Sequence, residues 1–123
     1  MKLTKKTIGN EDVYFQNGVK KYVHSKDSDG FETWSEYDKN NNEIHYKNSE
    51  GFEYWREYDS NNNVVHYKNS DGSEFWREYD SNNNEIHYKS SDGSEFWSDE
   101  NPNNPKNIEV EVDIEPFKFT TEE

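Results

Sequence analysis

The chain has 123 residues, with 27 acids against 14 bases for a net charge of −13, no cysteine, and no apolar run near the roughly 20 residues that a membrane-spanning helix needs. Disulfides, thiolate chemistry and a helical membrane span are thereby excluded. Leu, Ile, Val and Phe number only 20, a poverty that with this charge ordinarily leaves a chain disordered, but 4 Trp, 9 Tyr and 7 Phe bury large areas per side chain and suit strands.

Residues 1–23 contain lysines but no apolar stretch of the kind a secretory signal carries, so a cytoplasmic location is expected. Within them Asn17-Gly18, a strong hairpin signal, lies between two plausible strands in "DVYFQNGVKKYVH" and predicts an N-terminal hairpin cap over 1–23.

From residue 24 the chain repeats every 21 residues: His24, His45, His66 and His87, with Gly30, Gly51, Gly72 and Gly93, and with Trp34, Trp55, Trp76 and Trp97. Residues 24–100 therefore read as four units, the last truncated at "SDENPNNP". Atypical terminal copies are expected where a unit faces a cap or solvent. Each unit holds two turn signals about ten residues apart, which is hairpin spacing and leaves no room for a helix. Ser70-Asp71-Gly72 suits a three-residue loop closed by a left-handed glycine. Asn82-Asn83-Asn84 uses the non-glycine residue best able to take positive φ, in a loop of two or four residues.

The intervening segments alternate. Ser73, Phe75, Arg77 and Tyr79 point one way, and Glu74, Trp76, Glu78 and Asp80 the other. On the returning strand Ile86 and Tyr88 oppose Glu85, His87 and Lys89. The glycine turn sets Tyr67 opposite Phe75, His66 opposite Trp76 and Lys68 opposite Glu74, and the pattern recurs in the other units. In the first unit both members of the aromatic pair change together, to Ser25 and Thr33, which supports the register.

Residues 101–123 predict a Pro/Asn loop, then an acidic strand in which Ile108, Val110, Val112 and Ile114 alternate with acids, ending at Pro116. Phe117 and Phe119 are expected to dock on the body, and "TTEE" to fray. The whole is an all-β single domain, a twisted antiparallel meander of about ten strands built from 21-residue hairpin repeats, either a single open sheet or partly coiled.

Over residues 24–97, Tyr37-Asp38, Tyr58-Asp59 and Tyr79-Asp80, each followed by a turn and an apolar residue, resemble the Tyr-Asp repeats of the RHS family, whose tandem hairpins wind into β-spirals. A weaker similarity extends to MORN-type and choline-binding aromatic hairpin repeats. The resemblance implies a scaffold or adhesive surface, with any catalysis carried by other domains.

The residues themselves disfavour chemistry. Equivalent histidines two strands apart are separated by about 9–10 Å, too far to share one ion, and each faces a Trp. Asp38, Asn40 and Asn42 match the opening of a calcium loop, but the glycine and glutamate that complete one are missing, so the spacing reads as turn chemistry. Glu53 and Glu57 lie on one strand and recur in every copy, unlike a catalytic pair, and no nucleophile is oriented by a base. No catalytic residue, metal or cofactor is expected.

Binding remains. Residues 1–23 carry +3, the next three units −4, −2 and −3, and residues 87–123 −7, so direct binding to nucleic acid is disfavoured. The expected partner is a basic protein surface on a nucleic-acid-handling protein, engaged by an acidic inhibitor or nucleic-acid mimic of the phage counter-defence type. Its contact candidates are Glu53, Glu57, Glu74, Glu78, Asp80, Asp99, Glu100, Glu109, Glu111, Asp113 and Glu115. The alternative is a carbohydrate or cell-surface ligand on the ladder of Trp34, Trp55, Trp76 and Trp97. A one-layer sheet with an uncovered apolar face and two free edges also admits a homodimer.

Overall fold

Turn chemistry sets this architecture, and the two turns of each unit have one shape. At the glycine turn Asn69 N–H bonds Ser73 O at 3.0 Å and Gly72 N–H returns to Asn69 O, with Gly72 at φ +88°. At the asparagine turn Asp80 N–H bonds Asn84 O at 2.9 Å and Asn83 N–H returns to Asp80 O, with Asn83 at φ +64°. Both are three-residue loops ending in a left-handed residue. The side chain that opens each loop caps it: Asn69 Oδ1 accepts from the N–H of Asp71 and Ser73, and Asp80 Oδ1 from those of Asn82 and Asn84.

The computed structural model describes residues 1–107, 109 and 111–113. It contains β1 (Thr4–Ile8), β2 (Glu11–Gln16), β3 (Val19–Lys26), β4 (Glu32–Tyr37), β5 (Glu43–Asn48), β6 (Glu53–Tyr58), β7 (Val64–Asn69), β8 (Glu74–Tyr79), β9 (Glu85–Ser90), β10 (Glu95–Trp97) and a 3₁₀ turn at Pro105–Asn107. The ten strands form one open antiparallel sheet in chain order, and each strand touches only its neighbours in sequence. The sheet is a single layer with almost no interior: among the described residues Val13 is the one buried hydrophobic side chain. No helix among them is long and apolar enough to cross a membrane.

The expected hairpin at Asn17-Gly18 joins β2 to β3, with both turn residues at positive φ. The expected register across the glycine turns is the one observed, with His45, His66 and His87 opposite Trp55, Trp76 and Trp97, and Ser25 opposite Thr33. Ser25 and Thr33 replace the aromatic pair with a 2.6 Å hydroxyl hydrogen bond.

Three expectations need correction. The asparagine loops have three residues instead of two or four. An odd loop between uninterrupted strands would turn the next unit over and send alternate tryptophans to opposite faces. A β-bulge cancels the inversion: Glu78 pairs with His87 but Tyr79 with Glu85, so Ile86 is the extra residue, as Ile44 and Val65 are in the two preceding units. The bulge consequently moves Glu85 away from His87 and Lys89 to the side of Arg77, 3.4 Å from its Nε.

The second correction concerns the end of the chain. Glu109, Glu111, Val112 and Asp113 are exposed and lie in no strand, while Ile108, Val110, Ile114, Glu115, Phe117, Phe119 and the "TTEE" end fall outside the described residues. The tenth strand is instead β1, whose Thr-Lys-Lys-Thr-Ile sequence lacks apolar alternation because all of it is exposed at the sheet edge. After Trp97 a loop anchored by two buried asparagines folds back, with Asn101 Nδ2 donating to Ile86 O at 3.0 Å and Asn104 Nδ2 to Ser98 O at 2.9 Å. The third correction is electrostatic: Lys47, Lys68 and Lys89 stand opposite Glu53, Glu74 and Glu95, but these carboxylates turn to histidines on the neighbouring strand.

Candidate functional site

With an interior this small, almost all side-chain chemistry lies on the two faces and the rows of turns. One face carries a repeated cross centred on tryptophan. Along β6, Glu53 and Glu57 flank Trp55 at two residues' distance, and across the sheet His45 lies on one side and Lys68 on the other. The same cross surrounds Trp76 with Glu74, Glu78, His66 and Lys89. Each indole stacks on its histidine, with ring centroids 5.2 Å apart for His24–Trp34 and His45–Trp55, 5.4 Å for His66–Trp76 and 3.7 Å for His87–Trp97. Trp34, Trp55 and Trp76 remain 38%, 41% and 39% exposed, while Trp97 is half-buried.

The carboxylates of this face divide into two kinds. Glu53 and Glu74 are half-buried and lie 2.6 Å and 2.7 Å from Nε2 of His45 and His66; Glu32, also half-buried, lies 3.1 Å from that of His24, and the exposed Glu95 2.8 Å from that of His87. Glu57 and Glu78 reach outward, 73% and 55% exposed, each with a longer 3.3 Å contact to Nδ1 of His66 or His87. His66 and His87 thus have a carboxylate at each ring nitrogen, and only an imidazolium can donate to both. The Glu74 hydrogen bond, with a smaller contribution from Glu57, raises the His66 pKa.

The opposite face has a different composition. Tyr67 stacks on Phe75 with centroids 5.1 Å apart, and Tyr46 on Tyr54 at 4.9 Å. Here the chain supplies its own cations: the Arg56 guanidinium lies 4.6 Å over the Tyr54 ring and 3.6 Å from Glu43, and that of Arg77 lies 4.8 Å over Phe75 and 3.4 Å from Glu85. Val64 occupies the position equivalent to Glu43 and Glu85, so Arg56 turns back to Glu43 and Arg77 forward to Glu85. Tyr54 donates to the Glu43 carboxylate, and burial together with that hydrogen bond pushes its phenol pKa up.

The remaining acids lie elsewhere. Asp80 caps its own turn, and the N–H groups it accepts from lower its pKa, as they do for Asp59. These carboxylates are engaged by turn amides, as the turn reading of Asp38, Asn40 and Asn42 requires. Asp99 pairs with Lys106. Glu100, Glu109, Glu111 and Asp113 are exposed, and Glu115 lies outside the described residues. The acids singled out from the sequence therefore do not form one patch. They divide among the tryptophan face, a turn and the C-terminal end.

Sequence reasoning missed the arginine–ring–carboxylate sites and the ties between units. The ties had a signal in the invariant first residue of each glycine turn. Ser70 N–H donates to Glu53 O at 2.8 Å while Ser70 Oγ accepts from Glu53 N–H at 3.0 Å, and Ser49 and Ser91 do the same with Glu32 and Glu74. On the other edge an amide ladder joins the asparagine turns, with Asn42 Nδ2 donating to Asn62 Oδ1 and Asn63 Nδ2 to Asn83 Oδ1. Among the described residues no group of three His, Asp or Glu side chains is arranged to hold a metal ion. Comparison with protein-family models and with curated protein sequences gives no match.

Proposed function

We propose that this chain is a non-enzymatic acidic interaction protein that binds a basic surface, of the kind that nucleic-acid-handling proteins present, and so acts as an inhibitor or nucleic-acid mimic. The observation that carries the reading is the net charge of −13, with every segment beyond residue 23 negative. Charge of this size steers a cationic partner and repels nucleic acid itself. The one-layer sheet supports it by displaying its acids on surfaces instead of around an enclosed cavity, and the resemblance to RHS repeats favours a scaffold over a catalyst. The experiment is capture from an extract of the native host on the immobilised chain, with elution in steps of rising salt and competition by DNA. The expected result is retention of a nucleic-acid-binding protein at low ionic strength that both salt and DNA displace. Failure to retain any basic protein at low salt would overturn the reading.

A second reading, a carbohydrate or cell-surface ligand on the tryptophan ladder, is favoured by the exposure of Trp34, Trp55 and Trp76. It predicts indole fluorescence changes with glycans that are indifferent to salt.

A further inference from the structure

The two faces of the sheet pose the same chemical problem and solve it differently. On the tyrosine face an aromatic ring and a nearby glutamate receive an arginine from the chain itself, Arg56 over Tyr54 beside Glu43 and Arg77 over Phe75 beside Glu85. On the tryptophan face the ring and the glutamate are present without the arginine. Trp55 is 41% exposed with Glu57, 73% exposed, two residues along β6, and Trp76 is 39% exposed with Glu78, 55% exposed, two residues along β8. The nearest lysines in register, Lys68 and Lys89, form no ion pair and lie over no aromatic ring among the described residues.

We propose that the tryptophan face binds arginine side chains of a partner protein, one guanidinium on Trp55 against Glu57 and a second on Trp76 against Glu78. This rests on the basic-partner reading above and names what that partner must present. Arginine is favoured over lysine because its planar group both stacks on an indole and forks onto a carboxylate, whereas an ammonium is a compact, strongly hydrated point charge.

The end units lack the arrangement. Glu57 and Glu78 keep 73% and 55% of their side-chain surface in solvent despite their 3.3 Å histidine contacts, whereas at Trp34 the corresponding Glu36 is only 31% exposed and has Lys21 at 3.9 Å. At Trp97 no glutamate stands two residues on, and Asp99 in that place is paired with Lys106. The comb therefore has two teeth, in the two near-identical central units. Trp55 and Trp76 lie two strand spacings apart across the sheet, with a two-residue offset along it set by Lys68 and His66. That places them roughly 12 Å apart, a span that an extended peptide covers in three or four residues.

The test uses the full chain and three synthetic peptides in a Gly/Ser background, with two arginines four residues apart, two lysines at the same positions, or two uncharged citrullines. The arginine peptide is expected to perturb indole fluorescence and to bind about tenfold more tightly than the lysine peptide at equal salt, and the citrulline peptide not to bind. In ¹H–¹⁵N spectra the indole N–H of Trp55 and Trp76 should shift while those of Trp34 and Trp97 stay. The Glu57→Gln, Glu78→Gln double variant, at exposed positions and checked for folding by circular dichroism, should lose about tenfold, and the Glu50→Gln, Asp71→Asn control, at exposed positions in the glycine turns of the same units, almost nothing.

Equal binding of the arginine and lysine peptides, or equal losses in both double variants, would overturn the inference while leaving the acidic-partner reading in place. Shifts spread over all four indoles would also overturn it. If neither cationic peptide binds and host extract yields no basic protein, both readings fall together.

Discussion

Gly72 at φ +88° and Asn41 at φ +66° occupy equivalent places in the two kinds of turn, and they test the same backbone requirement from opposite directions. A β-carbon at Gly72 would meet nothing within 4 Å, so Gly72→Ala should cost only its torsional penalty, about 1–2 kcal/mol by urea denaturation. Asn41→Gly relieves that strain and should stabilise slightly or not at all. Asn62→Gly relieves it too but removes the acceptor of Asn42 Nδ2, so the difference between these two variants, about 1 kcal/mol, reads the value of one rung of the amide ladder. His66 titrates above its ordinary value because Glu74, and then Glu57, hold its proton. A raised folded-state pKa means that this contribution to stability is complete below about 6.5 and is lost as pH rises through the folded value. The imidazole resonances of His66 should accordingly titrate at lower pH in Glu74→Gln, and an unchanged midpoint would show that the hydrogen bond does not hold the proton.

The hairpin is the unit whose pairing was legible. Its register followed from the flanks of the glycine turn and from the joint replacement of an aromatic pair by Ser25 and Thr33. Tyr67→Ser with Phe75→Thr should reproduce that exchange, with a coupling in a double-mutant cycle of about 0.5–1.5 kcal/mol. The asparagine turn was harder to read, because its loop length was inferred from strands assumed to be uninterrupted. Nothing in Glu85-Ile86-His87 announces that Ile86 is the extra residue, since a bulge is a relation between two strands. Deleting Ile86 should therefore leave a regular hairpin over the same three-residue loop, with His87 still opposite Glu78 and Trp97 still stacked on it, and loss of that stack in the indole fluorescence would show that Ile86 is not the extra residue. The C-terminal strand was expected from alternation alone. Alternation says which side a strand would bury but creates no edge to pair with, and β10 offers only three residues before the Asn101 loop takes over. At the candidate site the His–Trp stacks were legible as opposite residues, whereas the distinction between Glu74, turned in to His66, and Glu78, turned out, depends on diagonal reach that spacing does not encode.

At the scale of the molecule, each strand leans only on its neighbours, so stability should add unit by unit. Removing residues 45–65 joins two equivalent positions and should leave a folded sheet with the same far-ultraviolet signature and a lower denaturation midpoint. Adding a copy should raise the midpoint. The near-identity of the two central units has a further consequence for how the chain finds its native pairing. The bulges penalise a slip of one residue, which would turn side chains to the wrong face, but they offer no such penalty against a slip of 21, because every serine tie and amide rung then meets an equivalent partner. The dissimilar end segments, and in the middle Val64 in place of Glu43 and Glu85, are what distinguish the correct frame from one displaced by a whole unit. At high concentration, two chains can exchange identical hairpins at no cost in local contacts, and the fidelity of folding rests on the parts of the chain that do not repeat.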